Sequence, residues 1–562
     1  MNGLRLHDPV ASAGSDRLDR LVIERYRIGY DEHKERHQGM LKEITERALG
    51  SPVYAGRTTR TTSLDDLSTL PLTTYDHIFE RIEQDGLENV LLSPSQINFR
   101  TSGSTGKPKS FHYGAEDIDR FALEYAVVSR MMGIRPGMRG WNLGGPLPDV
   151  SGYMFDQAKD VLEMADSVST LLKDDKDLII ALRRISSERK VDIMATAALM
   201  LYLIGRMGNE PGFLHGLIED KAMRSYRLPR PLAKLARRIY LRGVDLDALK
   251  SITGEVTIAI SYAEPLNPYL SELKRCYPRI QVHDAYGSTE NPITAVQIDR
   301  SVNGLSFFIH TLIPEIATTE DVIKHNADPG HTVRGVPWYE WKEGMRGELI
   351  VTREGQCLPL VRYPTGDVIE VLDPAHSMTV NIGGENVEIT LPLIRVLGRS
   401  VETLDFEAKD EAGNYLGMKF YSRYVNEALH RSSNVRWWEM YNIKEMPARL
   451  AVVVIPETDP ADIARYKNEI VRRLTHERSD IPHSFQTAND LGKLDIIILP
   501  SKAYDVVEAE IGRWIREGRS YGQLKPKHIY VVPDDREFRR LMGERYGTEG
   551  QAGLRDARAR EP

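Results

Sequence analysis

A glycine-rich loop between two strand-like runs, INFRTSGSTGKPKSFHY at residues 97–113, is the most informative stretch of this sequence. Gly103 and Gly106 allow positive φ angles and a close approach of the backbone to a ligand. Backbone N–H groups, hydroxyls and cations are the groups that bind a polyphosphate. The loop offers these donors on six residues: Thr101, Ser102, Ser104, Thr105, Lys107 and Lys109. The stretch therefore predicts a hairpin whose loop holds phosphates.

The loop differs from a Walker A sequence, which has four residues between its glycines and a Ser or Thr after the lysine. Here two residues separate Gly103 from Gly106, and Pro108 follows Lys107. Proline disfavours helix at the preceding residue, so we do not expect a helix to start there. The alternative interpretation is a flexible hairpin tip without a ligand.

Two later motifs carry groups that suit a nucleotide. DAYGSTE at 284–290 contains Tyr286, whose flat ring can stack on adenine, and Glu290, a carboxylate of the kind that Mg²⁺ prefers. YPTGD at 363–367 ends in Asp367, an acceptor-only group that can accept both ribose hydroxyls. Taken alone, each motif would also fit a simple glycine turn.

Together, these motifs resemble those of the adenylate-forming superfamily, which includes acyl- and aryl-CoA ligases, peptide-synthetase adenylation domains and luciferases. TSGSTGKPK resembles the family's phosphate-binding signature, YGSTE its YGxTE motif, and YPTGD its Y-x-TGD motif. The dipeptide Gly398–Arg399 is similar to the family's GR at the domain junction. The resemblance covers roughly Ser95 to Val532 and looks closest to phenylacetate-CoA-ligase-like enzymes and acyl-amido synthetases.

The resemblance implies an α/β fold, with a large N-terminal adenylate-forming domain of layered sheets and helices and a small mobile α+β C-terminal lid. We expect a helical N-terminal part at 1–90, an adenylation core at 91–397 and the lid at 398–562. Within the core, the apolar run 193–207 predicts a helix, and 251–260 predicts a strand.

The resemblance also implies site residues. The ATP-binding set is Thr101, Ser102, Gly103, Ser104, Thr105, Gly106, Lys107, Ala263, Glu264, Pro265, Asp284, Ala285, Tyr286, Gly287, Ser288, Asp367 and Arg399. The catalytic candidates are Lys109, Thr289, Glu290, Lys525 and Lys527, with Glu290 as the Mg²⁺ ligand. The aromatic residues Tyr153 and Phe155 lie where relatives contact the acyl substrate, although aromatic residues at this density also suit a core.

The sequence departs from the family's pattern in two places. The junction reads GRSVET instead of GRxDD, so Val401 stands at the hinge position. The C-terminal glycine-lysine is poorly marked, which leaves Lys525 and Lys527 as the candidates in GQLKPKHIY. A large lid rotation and a lysine-assisted first step are therefore less firmly implied than the ATP site.

Composition bounds the remaining alternatives. The net charge of −7 argues against nucleic acid as the main partner. Two cysteines are too few for a disulfide framework and favour a reducing cytoplasm. The first residues lack an apolar signal region, and no apolar stretch reaches the ~20 residues of a membrane span. A homodimer is compatible with the sequence.

We therefore expect an ATP- and Mg²⁺-dependent enzyme that activates a small carboxylic acid as an acyl adenylate. The favoured acceptor is CoA, which would make the chain an acyl- or aryl-CoA ligase. An amide-forming synthetase with an amine acceptor is the first alternative. A nucleotide-binding module without turnover is the second.

Overall fold

The computed structural model describes residues 15–61, 63–101, 109–145, 147–169, 175–188, 190–225, 227–262, 269–400, 404–409, 415–429, 434–445, 448–475, 484–507 and 528–558. They form two compact units, the first ending at Val396 and the second starting at Leu397. None of the helices in these ranges is long and apolar enough to cross a membrane.

The helices are α1 (Ser15–Tyr26), α2 (Tyr30–Ala48), α3 (Leu64–Leu67), α4 (Tyr75–Asp85), α5 (Leu87–Val90), α6 (Ala115–Met131), α7 (Val150–Ala158), α8 (Asp175–Glu188), α9 (Ala198–Asn209), α10 (Pro211–Ser225), α11 (Arg230–Tyr240), α12 (Leu246–Glu255), α13 (Leu270–Cys276), α14 (Thr319–Ala327), α15 (Ser422–Leu429), α16 (Ile463–Thr475), α17 (Ser484–Asp490) and α18 (Asp535–Arg558).

The strands are β1 (Ile97–Arg100), β2 (Ser110–Tyr113), β3 (Arg139–Asn142), β4 (Asp166–Ser169), β5 (Ile193–Ala197), β6 (Ile258–Tyr262), β7 (Gln281–Tyr286), β8 (Ala295–Val296), β9 (Leu305–Phe307), β10 (Ile313–Ala317), β11 (Val336–Pro337), β12 (Arg346–Arg353), β13 (Leu360–Ile382), β14 (Glu385–Arg399), β15 (Leu404–Lys409), β16 (Tyr415–Phe420), β17 (Val435–Ile443), β18 (Arg449–Pro456), β19 (Leu494–Ile498) and β20 (Ile529–Val532).

The first unit is built on a twelve-stranded mixed sheet with the order β11-β10-β12-β13-β14-β9-β8-β7-β6-β5-β3-β4. Strands β4, β3, β5, β6 and β7 are parallel, and β7 continues antiparallel into β8 and β9. The long strands β13 and β14 meet at Gly383–Gly384, whose φ angles are 59° and 93°. Positive φ at both positions is what a tight hairpin turn requires.

Two predictions from hydrophobic pattern are wrong in this unit. The run predicted as a helix over 193–207 starts as β5, because Ile193–Ala197 is buried between neighbouring parallel strands; only from Ala198 is it helical. The run predicted as a strand over 251–260 is helical as far as Glu255, because Asp245 caps α12 through the backbone N–H groups of Asp247 and Ala248. The strand β6 begins only at Ile258.

The N-terminal helices pack into the core of the first unit. Leu18, Val22 and Leu41 are buried in the same cluster as the sheet residues. The Arg25 guanidinium donates to both carboxylate oxygens of Glu124 on α6, at 2.6 and 2.7 Å. Burial alone would raise the pKa of Glu124, but Arg25 and His310 lower that pKa to about 2. This segment is therefore an integral part of the unit.

The second unit has a four-stranded sheet with the order β19-β18-β17-β20. Its two central strands are antiparallel, and each edge strand is parallel to its neighbour. Residues of α16 and α17 cover one face, and α18 covers the other. This is the α+β composition expected for the C-terminal part, with helices on both faces of the sheet.

Candidate functional site

The stem of the glycine-rich loop is the hairpin expected from the sequence. β1 and β2 pair antiparallel from Ile97–Tyr113 to Arg100–Ser110. Beyond the last pair, the Thr101 amide donates to the carbonyl of Lys109 at 2.9 Å, and the Lys109 amide donates to Thr101 Oγ1 at 2.9 Å. These two bonds hold Thr101 and Lys109 together at the base of the loop. The loop residues Ser102, Gly103, Ser104, Thr105, Gly106 and Lys107 lie outside the described residues.

Lys109 connects the hairpin to the YPTGD motif. Its ammonium donates to the hydroxyl of Tyr363 at 3.4 Å and also lies 5.6 Å from the centre of the Tyr75 ring. Tyr363 is buried, and the Tyr75 hydroxyl accepts from the amide of Ser110 at 2.8 Å. Two tyrosines therefore orient the lysine that the sequence assigns to the phosphates.

The two motifs assigned to the nucleoside are in direct contact. Tyr286 is the last residue of β7, and its hydroxyl donates to Asp367 Oδ2 at 2.7 Å. The Asp367 amide in turn donates to Thr365 Oγ1, and Gly366 has a φ of 78°, as the tight turn requires. Tyr286 is half-buried and Asp367 is buried. Residues about 80 positions apart thus form one polar corner at the carboxyl end of a parallel strand, where open α/β sheets bind ligands.

A compact turn positions Thr289 and Glu290 next to this corner. The Ser288 amide donates to the carbonyl of Asn291 at 2.9 Å, and the Thr294 amide donates to the carbonyl of Tyr286 at 3.0 Å. Gly287 is required here, because a Cβ atom would lie 2.1 Å from the carbonyl oxygen of Pro292. The turn therefore returns the chain to the sheet directly after the motif.

Tyr113 and Arg353, which the sequence did not assign to the site, hold the turn that carries Thr289 and Glu290. The Tyr113 hydroxyl donates to the carbonyl of Thr289 at 2.6 Å. The Arg353 Nε donates to the carbonyl of Glu290 at 2.7 Å, and another of its nitrogens donates to the Tyr113 hydroxyl at 3.2 Å. All four of these residues are buried. The hairpin, the end of β12 and the Glu290 turn are thereby connected.

His283 lies directly before the DAYGSTE motif. It is buried on β7, and its Nδ1 lies 2.8 Å from the carbonyl of Gln297. Burial lowers its pKa to about 4, so the imidazole is neutral at physiological pH.

The remaining candidates are distributed as follows. Asp284 and Ala285 lie on β7 directly before Tyr286.

Phe155 is fully buried in the core, where it packs against Tyr125. Tyr153 is partly buried, with its ring 5.5 Å from that of Phe99, and both aromatic candidates stay predictions for contact with the acyl substrate. Arg399 ends β14 and belongs to the second unit. The predictions for Ala263, Glu264, Pro265, Lys525 and Lys527 lie outside the described residues.

Within the described ranges, no group of three or more His, Cys, Asp and Glu side chains could hold a metal ion. Mg²⁺ at nucleotide sites is usually held by one or two carboxylates plus phosphate oxygens and water. The single carboxylate of Glu290, on a turn fixed by Arg353 and Tyr113, fits that type of coordination.

No protein-family model matches the sequence, and no curated protein does. Among solved structures, the chain is similar to 2-hydroxyisobutyryl-CoA ligase in the postadenylation state in complex with R3-HIB-AMP, with 15% identity, a TM-score of 0.59 and 94% of each chain covered. It is similar to the GH3.15 acyl acid amido synthetase, with 13% identity, a TM-score of 0.58 and 94% of each chain covered. The chain therefore shares the fold of these two proteins over nearly its whole length, as the resemblance implied, while the mobile C-terminal lid stays a prediction.

Proposed function

We propose that this protein is an ATP-dependent ligase that activates a carboxylic acid as an acyl adenylate and transfers the acyl group to the thiol of CoA. The observation that carries the proposal is the convergence of three separate motifs: the Lys109 hairpin, the Tyr286–Asp367 contact and the Glu290 turn. Lys109 contacts Tyr363 of the YPTGD motif, Tyr286 contacts Asp367 of the same motif, and Tyr113 of the hairpin contacts the turn that carries Glu290.

The chemistry follows from these groups. A carboxylate oxygen of the acid attacks the α-phosphorus of ATP, and pyrophosphate leaves. The sulfur of CoA then attacks the acyl carbon, and AMP leaves. Catalysis is mainly positioning and charge stabilisation, since the reacting groups belong to the substrates.

Each residue has a role in this proposal. Tyr286 stacks on adenine, Asp367 accepts from the ribose hydroxyls, and Lys109 and Thr289 contact the phosphates. Glu290 would hold Mg²⁺, which when bound neutralises phosphate charge. The buried free thiols Cys276 and Cys357 suit a reducing cytoplasm.

An amide-forming synthetase is the second candidate. It is favoured by the similarity to the GH3.15 acyl acid amido synthetase, whose TM-score of 0.58 is close to that of the CoA ligase. The GRSVET junction, which lacks the usual acidic hinge residue, also fits this alternative. The two candidates share the first half-reaction and differ in the acceptor.

The test is pyrophosphate release from ATP and Mg²⁺ with a panel of carboxylic acids, each with and without CoA. We expect release that depends on one class of acid and that CoA increases. Acid-dependent release that is indifferent to CoA and increased by an amine would establish the amide-forming candidate. Tight ATP binding without release for any acid would favour the nucleotide-binding module.

The Asp367→Asn substitution should raise the KM for ATP about tenfold, because a hydrogen bond to a charged acceptor contributes about 1.5 kcal/mol or more. The value of kcat should change little, since the ribose contacts are the same in the ground and transition states. The matched control is Asp373→Asn, on the same strand but partly exposed. Steady-state kinetics with varied ATP checks this, and an unchanged KM would remove Asp367 from the ribose site.

A further inference from the structure

A basic segment of the first unit has no role in the proposed active site. The sequence RSYRLPRPLAKLARRIYLR, at 224–242, contains seven Arg and Lys residues and no acidic residue, in a chain whose net charge is −7. The described part of this segment contains the helix α11. Such a local reversal of charge marks a surface that attracts anions.

One side of α11 lies against the protein. Ala233 is fully buried, and Arg237 forms an ion pair with Glu219 on α10, with 2.6 Å between Nη1 and Oε1. This contact fixes which side of the helix faces solvent.

The solvent-facing side carries a row of large apolar side chains. Leu232, Leu235 and Ile239 are 48%, 51% and 64% exposed. Their spacing of three and four residues places them on one face of the helix. Single exposed apolar residues are ordinary, but three in a row on one helix indicate a binding surface.

A row of cations runs beside the apolar row. Arg230, Lys234 and Arg238 follow one another at intervals of four residues, and all three are exposed. Arg227 and Arg242 lie near the two ends of the helix and are exposed as well. None of these five cations forms an ion pair with another residue that the structure describes.

This combination is typical of a helix that lies in a membrane interface. The apolar row enters the boundary between headgroups and acyl chains, while the cations meet anionic headgroups. We propose that α11 docks this protein reversibly onto an anionic membrane surface, with Leu232, Leu235 and Ile239 inserted and the cation row on the headgroups. The proposal is independent of the reaction that the active site performs.

Two other classes of partner fit the surface less well. A nucleic acid would contact the cations through phosphates and leave the three aliphatic side chains exposed. A protein partner would have to bury the cations next to the apolar row, although charged residues are depleted at the core of protein interfaces. A lipid surface can contact both rows at once, because its acyl chains suit the apolar side chains and its anionic headgroups suit the cations.

The test is co-sedimentation of the full-length protein with vesicles of phosphatidylcholine alone and with vesicles of equal parts phosphatidylcholine and phosphatidylglycerol. We expect binding to the anionic vesicles that weakens with added salt, because headgroup attraction is screened. The double substitution Leu235→Glu and Ile239→Glu should lower the partition coefficient at least about tenfold, since it removes insertion and adds repulsion. Lys234→Gln with Arg238→Gln should weaken the preference for anionic vesicles at least about tenfold, because it removes two of the exposed cations.

The matched control is Ile323→Glu on α14, which replaces an isoleucine of similar exposure, 52%, in a segment with acidic neighbours. It should bind vesicles as the unaltered protein does. Circular dichroism and thermal melting verify that every variant is folded. Failure to bind anionic vesicles, or equal binding by the Leu235 and Ile239 double variant, would overturn the proposal. Salt-sensitive binding of single-stranded DNA without vesicle binding would reassign the surface to nucleic acid.

Discussion

The Glu290→Gln substitution should lower pyrophosphate release by about 10²–10³-fold, because it removes the charge that would hold Mg²⁺ on the phosphates. Glutamine has the same shape, so the backbone carbonyl of residue 290 still accepts from Arg353 and the turn should persist. Nucleotide binding should be partly retained through the Tyr286–Asp367 corner. The loss should therefore appear in turnover, together with a requirement for more Mg²⁺.

The matched control is Glu354→Gln. Glu354 is close in sequence to the site, but its carboxylate is partly exposed and pairs with Arg120 on α6. Rates of pyrophosphate release at several Mg²⁺ concentrations, with ATP affinity measured separately, distinguish the two variants. Normal turnover of Glu290→Gln would contradict the metal assignment while leaving the fold unaffected.

Local motifs placed Tyr286 and Asp367 in one site, and the two side chains are in contact, while their assignment to a nucleotide stays a prediction. The contact between Tyr286 and Asp367 joins two motifs, and each had been assigned to the nucleoside by its own side chain. Gly366, with its φ of 78°, and Gly287, where a side chain has no room, explain why glycine stands at those positions. Such constraints involve residues close together in the chain, so they can be predicted from a sequence.

The supports of the site could not be predicted in the same way. Arg353 ends a strand in a segment without a motif, and only the fold shows that it reaches the Glu290 carbonyl. The same applies to Tyr113, since an aromatic residue after a strand-like run has no distinctive neighbour in the sequence. The sequence pattern indicates that Tyr113 ends the strand after the loop, but it does not indicate that Tyr113 supports the Glu290 turn.

The error at 193–207 has a general cause. A short apolar run in the centre of a parallel sheet is buried on both faces, so its hydrophobicity lacks the alternation that distinguishes a strand. Because β5 leads directly into the apolar helix α9, the two elements form one continuous apolar run in the sequence. The tertiary context of the sheet sets their boundary.

A buried arginine beside the YPTGD motif should have the largest effect on stability. Arg362 is completely buried, and its Nε pairs with Glu315 on β10 at 3.0 Å. Its remaining nitrogens donate to the backbone carbonyls of Ser68, Leu70 and Val333. The side chain therefore ties the segment after α3 to the sheet that carries Asp367.

The Arg362→Met substitution should lower the free energy of unfolding of the first unit by about 3–5 kcal/mol, because it leaves a buried carboxylate and three carbonyls without their donor. The residue has a φ of 50°, and methionine keeps that backbone cost unchanged, so the loss reports the side chain alone. Urea unfolding followed by fluorescence measures it. The matched control, Arg36→Met, breaks an exposed pair with Glu32 and should cost less than about 0.5 kcal/mol.

The effect of Arg362→Met should also depend on pH. Burial raises the pKa of Glu315, and Arg362 opposes that rise; without the arginine, the pKa in the folded state should rise further. A group whose pKa is higher in the folded than in the unfolded state stabilises the fold below its unfolded pKa, and that contribution is lost as the pH rises through the folded pKa. The variant should therefore be less destabilised at about pH 5.5 than at about pH 8. A destabilisation that is equal at both pH values would mean that the carbonyl contacts, and not the ion pair with Glu315, account for the role of Arg362.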